Sequence, residues 1–354
     1  MRNRMRTVVV CLLLFAAGVG TSQAQSFDIV KVTDTVYAAI GRPGVFCNGA
    51  FVINRDEVLV VDTHLRPSWA LDLIAEIKKV TDKPVRYVVS THWHGDHTQG
   101  NQAYVQAFGS NVEYLAQHWT RDDIIGKAIP SIQTSLTQGV PANIARLEKS
   151  LADGKDQQGN PLTAEARATA ERNLASQKAY LEELKTIQIT LPTITFEKSL
   201  VLHRTAPGGS ERPIHIYYFG KGHTRGDVMV YLPVEKLLFT GDLLTNGVPF
   251  ARDGYPEKWA SALESALKLD FTRVLSGHGP VQDGKLQMER AIALLKDVVA
   301  GVKQGIAAGK IEADIAKTLD LSKHRENFAG FQQGISLLIT RAYQEQTGTL
   351  PHKE

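Results

Sequence analysis

The chain of 354 residues has only two cysteines, Cys11 and Cys47. Cys11 falls in an apolar leader, so removal of the leader excludes an internal disulfide. An exported chain of this kind relies on its core and on bound metal. A surplus of basic charge is also missing. The 40 Lys and Arg stand against 37 Asp and Glu. Arg2, Arg4 and Arg6 are the only charges in residues 1–24, and without them the two signs balance at 37 each. No basic stripe for a nucleic acid is left. Long apolar runs are absent after residue 20, so the mature chain offers no membrane-spanning helix. The 29 Gly and 14 Pro are scattered without a period, which excludes collagen-like and low-complexity classes. What is present is ordinary for a globular protein, with 43% hydrophobic and 22% charged residues. The length fits one large domain or two smaller ones.

Residues 1–24 read as a secretory signal peptide. Three Arg precede an apolar stretch from Val8 to Gly20, which is too short to span a bilayer. Ser22-Gln23-Ala24 fits a small-x-small cleavage site, which places the mature start at Gln25. An uncleaved anchor is the alternative. The expected location is periplasmic or secreted, with no stable membrane insertion after cleavage.

Strand signals open the mature chain. Val30, Val32 and Val36-Tyr37 precede a Gly/Pro turn at Gly41 to Gly44. Ala50 to Ile53 and Val58 to Val61 then read as a hairpin. Leu71, Ile74 and Ile77 predict a helix over 68–79, with Ser68 as N-cap. Val85 to Val89 is a strand, and Thr91 to His97 is the loop beyond it. Strand, helix, strand points to an α/β layered fold. Residues 120–190 change character. Ile144, Leu147 and Leu151 repeat at helical spacing up to Gly154, and Leu174, Leu181, Leu184 and Ile187 mark a longer helix after Pro161. This segment is a helical insertion, serving as a lid, a dimer contact or surface packing. Ile124, Ile125 and the residues near Pro130 are its candidates for shaping a pocket. Strands return at Ile214 to Phe219, Val228 to Leu232, Leu237 to Phe239 and Arg273 to Leu275, with a helix at 257–268. From 285 onward Met288, Ile292, Leu295, Val299 and Val302 predict amphipathic helix. The expected layout is a leader at 1–24, a main domain at 25–285 with its insertion, and a helical extension at 286–354.

The strongest local signal is Thr91-His92-Trp93-His94-Gly95-Asp96-His97. Imidazole and carboxylate are the ligands that zinc takes when thiolates are absent. Residues two apart on an extended segment face one way, so His92 and His94 can share an ion. Gly95 permits a turn, beyond which Asp96 and His97 can face a second ion; one four-ligand site is the alternative. Three further candidates follow strand ends beside glycine: His223 in Gly-His-Thr, Asp242 in Thr-Gly-Asp, and His278 in Gly-His-Gly. His64 either lines the site or packs. His118, His203, His215, His324 and His352 lack the glycine-turn context. Trp93 and Trp119 either shape the pocket or pack.

Taken together, H-x-H-x-D-H, G-H-T, T-G-D and G-H-G resemble the metal-binding signature of the metallo-β-lactamase superfamily, over about residues 27–285. The resemblance implies a four-layer αββα sandwich with the helical insertion and C-terminal helices added. It implies that His92, His94 and His223 hold a first zinc, that Asp96, His97 and His278 hold a second, and that Asp242 bridges them. Iron or manganese could take the same ligands. Asp62 matches an aspartate that supports the metal loop, with a turn cap as its other reading. The implied activity is that of an exported binuclear zinc hydrolase. A metal-bridging hydroxide would cleave a small amide, lactone or ester, β-lactams among them, with Asp96 and Asp242 at the catalytic centre. Two departures weigh against a β-lactamase: Asp242 stands where those enzymes usually carry Cys or Ser, and Leu243 to Val248 offers no cation to hold a carboxylate. The alternatives are a thioesterase of the glyoxalase II kind and an exported accessory protein of a quinoprotein-type system. The expected partner is a small-molecule substrate, not a nucleic acid; the oligomeric state is left open.

Overall fold

The computed structural model describes residues 26–45 and 47–351. The expected leader and His352 lie outside the described residues. Among those described, the strands form two sheets. The first has seven strands in sequence order: β1 (Phe27–Lys31), β2 (Val36–Gly41), β3 (Gly49–Ile53), β4 (Val58–Val61), β5 (Val85–Val89), β6 (Glu113–Gln117) and β7 (Ile194–Phe196). It is antiparallel from β1 to β4 and parallel from β4 to β7. The second sheet holds β8 (Ser199–Thr205), β9 (Glu211–Tyr217), β10 (Met229–Leu232), β11 (Leu237–Thr245), β12 (Arg273–His278) and β13 (Gln282–Asp283). There the only parallel pair is β11 with β12.

Side-chain alternation builds the layers. In β3, Ala50 and Val52 turn to the space between the sheets, while Phe51 and Ile53 turn outward. In β10, Val230 and Leu232 point between the sheets, and Met229 and Tyr231 point away. The inner faces meet in one core that also takes Val61, Val89, Leu115, Ile216 and Phe239. Helices Pro67–Val80 and Asn101–Phe108 cover the outer face of the first sheet through Leu73, Ile77 and Tyr104. Helices Pro256–Ala266, Leu286–Ala307 and Phe331–Thr347 cover the second sheet through Trp259, Leu295 and Leu338. The result is the four-layer αββα sandwich. The segment after residue 285 is thus an outer layer of that sandwich, packed directly on the strands. No helix among the described residues is long and apolar enough to cross a membrane.

Three local expectations are corrected. Ser68 does not cap its helix. The helix starts at Pro67, a residue suited to a first turn, and Ser68 donates from its N–H and hydroxyl to Glu183. β11 runs on through Asp242, and β12 runs to His278, so both residues lie within strands and not after them. The insertion is an unbroken helical run from His118 to Asp153, with π-type turns at Ile124–Ala128 and Ser135–Gly139, followed by the helix Ala164–Leu184. Gly154 ends the run in a left-handed conformation, as its position predicts.

Leu295 is fully buried against the second sheet. Leu295→Ala should cost about 2–5 kcal/mol, read as a lower urea midpoint by circular dichroism. A loss below about 1 kcal/mol would mean that this helix is not part of the sheet's core.

Candidate metal centre

The parallel register of β4 on β5 pairs Val61 with Val89 and sets Asp62 beside the start of the Thr91–His97 loop. Asp62 Oδ1 accepts from the Thr91 backbone N–H at 2.8 Å. Its Oδ2 accepts from Thr91 Oγ1 and His97 Nδ1, each at 2.8 Å. Gly95 opens a single helical turn, Gly95–Thr98, which carries Asp96 and His97, with the His97 ring 4.2 Å from that of His92. On β11 the pairing slips around Gly241, whose φ of +50° carries Asp242 toward the same space. Gly277 leaves room for that carboxylate, since a Cβ there would strike Asp242 Oδ1.

The seven residues singled out by the motifs converge in two groups. In the first, His94 Nδ1 lies 3.1 Å from His92 Nε2 and 2.9 Å from His223 Nε2. Ligands about 2.0–2.1 Å from a tetrahedral ion stand roughly 3.3 Å apart, so this spacing is close to that of a metal cage. In the second, His97 Nε2 is 3.5 Å and His278 Nε2 is 3.7 Å from Asp96 Oδ2. Asp242 faces both groups. Its Oδ2 is 3.5 Å from His223 and 3.2 Å from His278, and its Oδ1 is 3.4 Å from His97.

Outer partners orient the rings. His92 Nδ1 meets Thr91 Oγ1, His97 Nδ1 meets Asp62, His223 Nδ1 meets the Phe250 carbonyl, and His94 Nε2 meets Asp253 Oδ2 at 3.1 Å. Each acceptor takes the outer N–H and leaves the inner nitrogen with a lone pair. His97 Nε2 and Asp242 Oδ1 are buried without a hydrogen-bond partner. Orphaned atoms of this kind are rare in a folded core and fit an ion. The donor set therefore suits a metal.

Charge balance agrees. Burial drives His92 well below the ordinary imidazole range and His223 down to about 3, so both are neutral ligands at neutral pH. Burial also opposes charge on His97 and His278, but carboxylates outweigh it. Asp242, Asp62 and Asp96 raise His97, and Asp242 raises His278. This second group holds positive charge strongly, as a proton or as a cation.

A cavity of about 720 Å³ opens onto the groups. Asp96, Asp242, His94 and His278 form its floor, and Leu65, Trp93, Phe250 and Tyr180 give it apolar walls. Ser131, Ser135 and Tyr180 come from the insertion, so the expectation near Pro130 holds. Ile124 is instead buried against Trp93 and Ala128, and Ile125 is exposed. His64 does not line the cavity. It is buried, stacked on Phe27 and 3.3 Å from Cys47 Sγ. Trp119 packs under Arg225. His118, His203, His215 and His324 lie outside both groups.

Sequence reasoning missed Asp253, Arg252, Asn246 and Gln99. Asp253 and Arg252 follow β11 on the edge that carries the ligands, and that placement was the one available signal. Arg252, four residues beyond the uncharged stretch Leu243 to Val248, places a cation in the cavity lining.

Comparisons with known proteins agree with this geometry. The family model of the metallo-beta-lactamase superfamily matches residues 42–121 and 154–278 and omits most of the helical run between them. The linear primary-alkylsulfatase of a Pseudomonas species is 24% identical over 258 residues, or 69% of this chain; the match spans 43% of that protein, less than half its length. The metallo-beta-lactamase type 2 of Bacteroides fragilis is 21% identical over 292 residues, 78% of this chain and 90% of the relative. The solved metallo-beta-lactamase from Pontibacter korlensis superposes with a TM-score of 0.51 at 21% identity, covering 76% of this chain and 99% of that one. At such identity the structural likeness carries the fold alone. The matched stretches span more than half of the sequence, and the chain belongs to the metallo-beta-lactamase superfamily.

Proposed function

We propose that the protein is an exported binuclear zinc hydrolase that cleaves a small ester, lactone or amide bearing an anionic group on an apolar body. The observation that carries this is the pair of ligand groups with Asp242 between them. His92, His94 and His223 would hold one zinc and Asp96, His97 and His278 the other, with Asp242 facing both groups. Bound there, two dications supply an activated water near neutral pH and polarise the bond to be cleaved. The chain's own residues do the rest. Asp62, Asp253 and the Phe250 carbonyl keep the imidazoles in their ligating orientation. Leu65, Trp93 and Phe250 exclude water from the substrate's apolar part. Arg252 Nε leans on Asp253 at 3.5 Å, and its guanidinium lies 5.4 Å from the Phe250 ring. Arg252 lines the cavity, and its guanidinium would pair with an anionic group of the substrate. Asn246 Oδ1 is taken by Gln282 Nε2 at 2.6 Å, which reserves the Asn246 Nδ2 donor for a substrate oxygen. Asp96 lines the cavity, where as a carboxylate it would hold the second zinc beside the bond to be cleaved.

Asp242, where β-lactamases usually carry Cys or Ser, favours esters over β-lactams. Sulfate esters enter through the alkylsulfatase relative, and thioesters form the second reading. The leader at 1–24 supports export.

The mature chain loaded with zinc should hold two ions by elemental analysis. It should turn over at least one of a nitrophenyl ester, a linear alkyl sulfate and a chromogenic cephalosporin. Asp96→Ala should lose at least about 100-fold in kcat/KM while keeping its fold; full turnover in that variant would falsify the two-metal assignment. Arg252→Gln should raise KM for the anionic substrate about five- to tenfold with kcat kept, and equal KM values would remove Arg252 from substrate binding. Asp62→Asn presents an amide N–H where Thr91 and His97 already donate. It should weaken zinc binding by about 10–100-fold in chelator competition, and unchanged affinity would leave Asp62 a turn residue only.

A further inference from the structure

The root of the helical insertion is locked to both loops that carry the first ligand group. Asp123 is buried, and its two oxygens accept from Arg225 Nε at 3.0 and 3.1 Å. Arg225 Nη2 adds a contact at 2.8 Å, and Lys127 Nζ lies 3.1 Å from the same carboxylate. Arg225 stands two residues after His223. Its guanidinium is spread over the Trp119 ring at 4.3 Å, so the arginine is held from two sides by the insertion. Thr120 Oγ1 donates to the Gly226 carbonyl at 2.7 Å. The Gly226 backbone lies so close to Thr120 that a Cβ would strike it. Toward the other loop, Ile124 and Ala128 bury Trp93, the residue between His92 and His94, and Lys127 stands over its ring at 5.5 Å. A π-type turn at Ile124–Ala128 follows Asp123 directly and carries the run on to Ser131 and Ser135 at the cavity wall. Such turns are uncommon and cluster at functional sites.

We infer that Asp123 is a positioning residue: its buried pairing with Arg225 fixes the His223 loop, so that the insertion sets the geometry of the first metal group as well as the cavity wall. The inference rests on the proposed reading of His92, His94 and His223 as metal ligands. The bidentate fork matters, because a planar guanidinium on a carboxylate fixes direction as well as distance. Lys127 alone is a point charge and cannot hold the Arg225 loop. Trp119 and Trp93 stack on the two cations themselves, Arg225 and Lys127, and apolar rings offer no substitute for the carboxylate.

The test uses the full chain, with zinc affinity at each site measured by chelator competition and the visible spectrum of the cobalt-substituted protein recorded beside it. Asp123→Asn is expected to weaken one of the two sites by at least about tenfold and to alter the cobalt spectrum, with circular dichroism unchanged. Asp123→Glu is expected to recover most of the affinity, because the carboxylate can pair with Arg225 again. A folded Asp123→Asn with both affinities and the spectrum unchanged overturns the inference. If that variant does not fold, Arg225→Lys carries the test with the same expectation, since it keeps the charge and loses the fork. His223→Ala separates the two readings. If it binds as much zinc as the wild type, the ligand assignment itself fails; if it loses zinc while both clamp variants bind normally, only the clamp fails.

Discussion

The Asp62 carboxylate is the contact on which the rest of the site depends. It joins the end of β4 to the loop after β5 and accepts three hydrogen bonds there. Through His97 it orients a member of the second ligand group. Through Thr91 Oγ1, which also meets His92 Nδ1, it orients a member of the first. One buried anion thus aligns rings in both groups. The backbone is bent to permit this, with φ of +58° at Asp62 and +69° at His64. Non-glycine residues in that region cost about 1 kcal/mol or more and persist where surrounding contacts over-determine them. Three donors on one carboxylate are such contacts.

A second constraint is electrostatic. Five imidazoles and two carboxylates crowd one water-poor space, so their charges are strongly coupled. Buried Asp242 is held well below the usual carboxylate range, since His278 and His97 outweigh the effect of its burial. An anion at that depth requires a cation, and the surrounding lone pairs point at the places where one fits. Gly241 and Gly277 make this crowding possible: a Cβ at Gly277 would strike Asp242 Oδ1, and one at Gly241 would strike the Thr91 side chain.

The insertion belongs to this arrangement physically. Its long helix is fastened to the first sheet's cover by Arg66, which donates to Ser176 and lies between the Trp69 and Tyr180 rings. Tyr180 donates to Gln99, one residue past the Gly95–Thr98 turn, at 3.0 Å. Val140, Tyr180 and Leu184 give the hairpin a small core of its own. A segment with so little buried apolar surface takes its position from these polar fastenings more than from packing.

The sequence by itself determined most of the layered fold. Strand alternation at Ala50 to Ile53, the helical stripe from Met288 to Val302 and the Gly154 stop are local patterns, and each follows from backbone periodicity. It also determined four candidate ligands, because three histidines and an aspartate in six residues have few other physical uses, while His223, Asp242 and His278 joined them only in combination with that cluster and through the family resemblance. Tertiary structure decided what periodicity does not encode. Asp253 on His94, Asp123 on Arg225 and Glu183 on Ser68 pair residues 159, 102 and 115 positions apart. Such pairs arise only when layers and loops meet in space. The bulge that turns Asp242 inward is likewise set by the strand beside it, through the slipped register of β11 on β12.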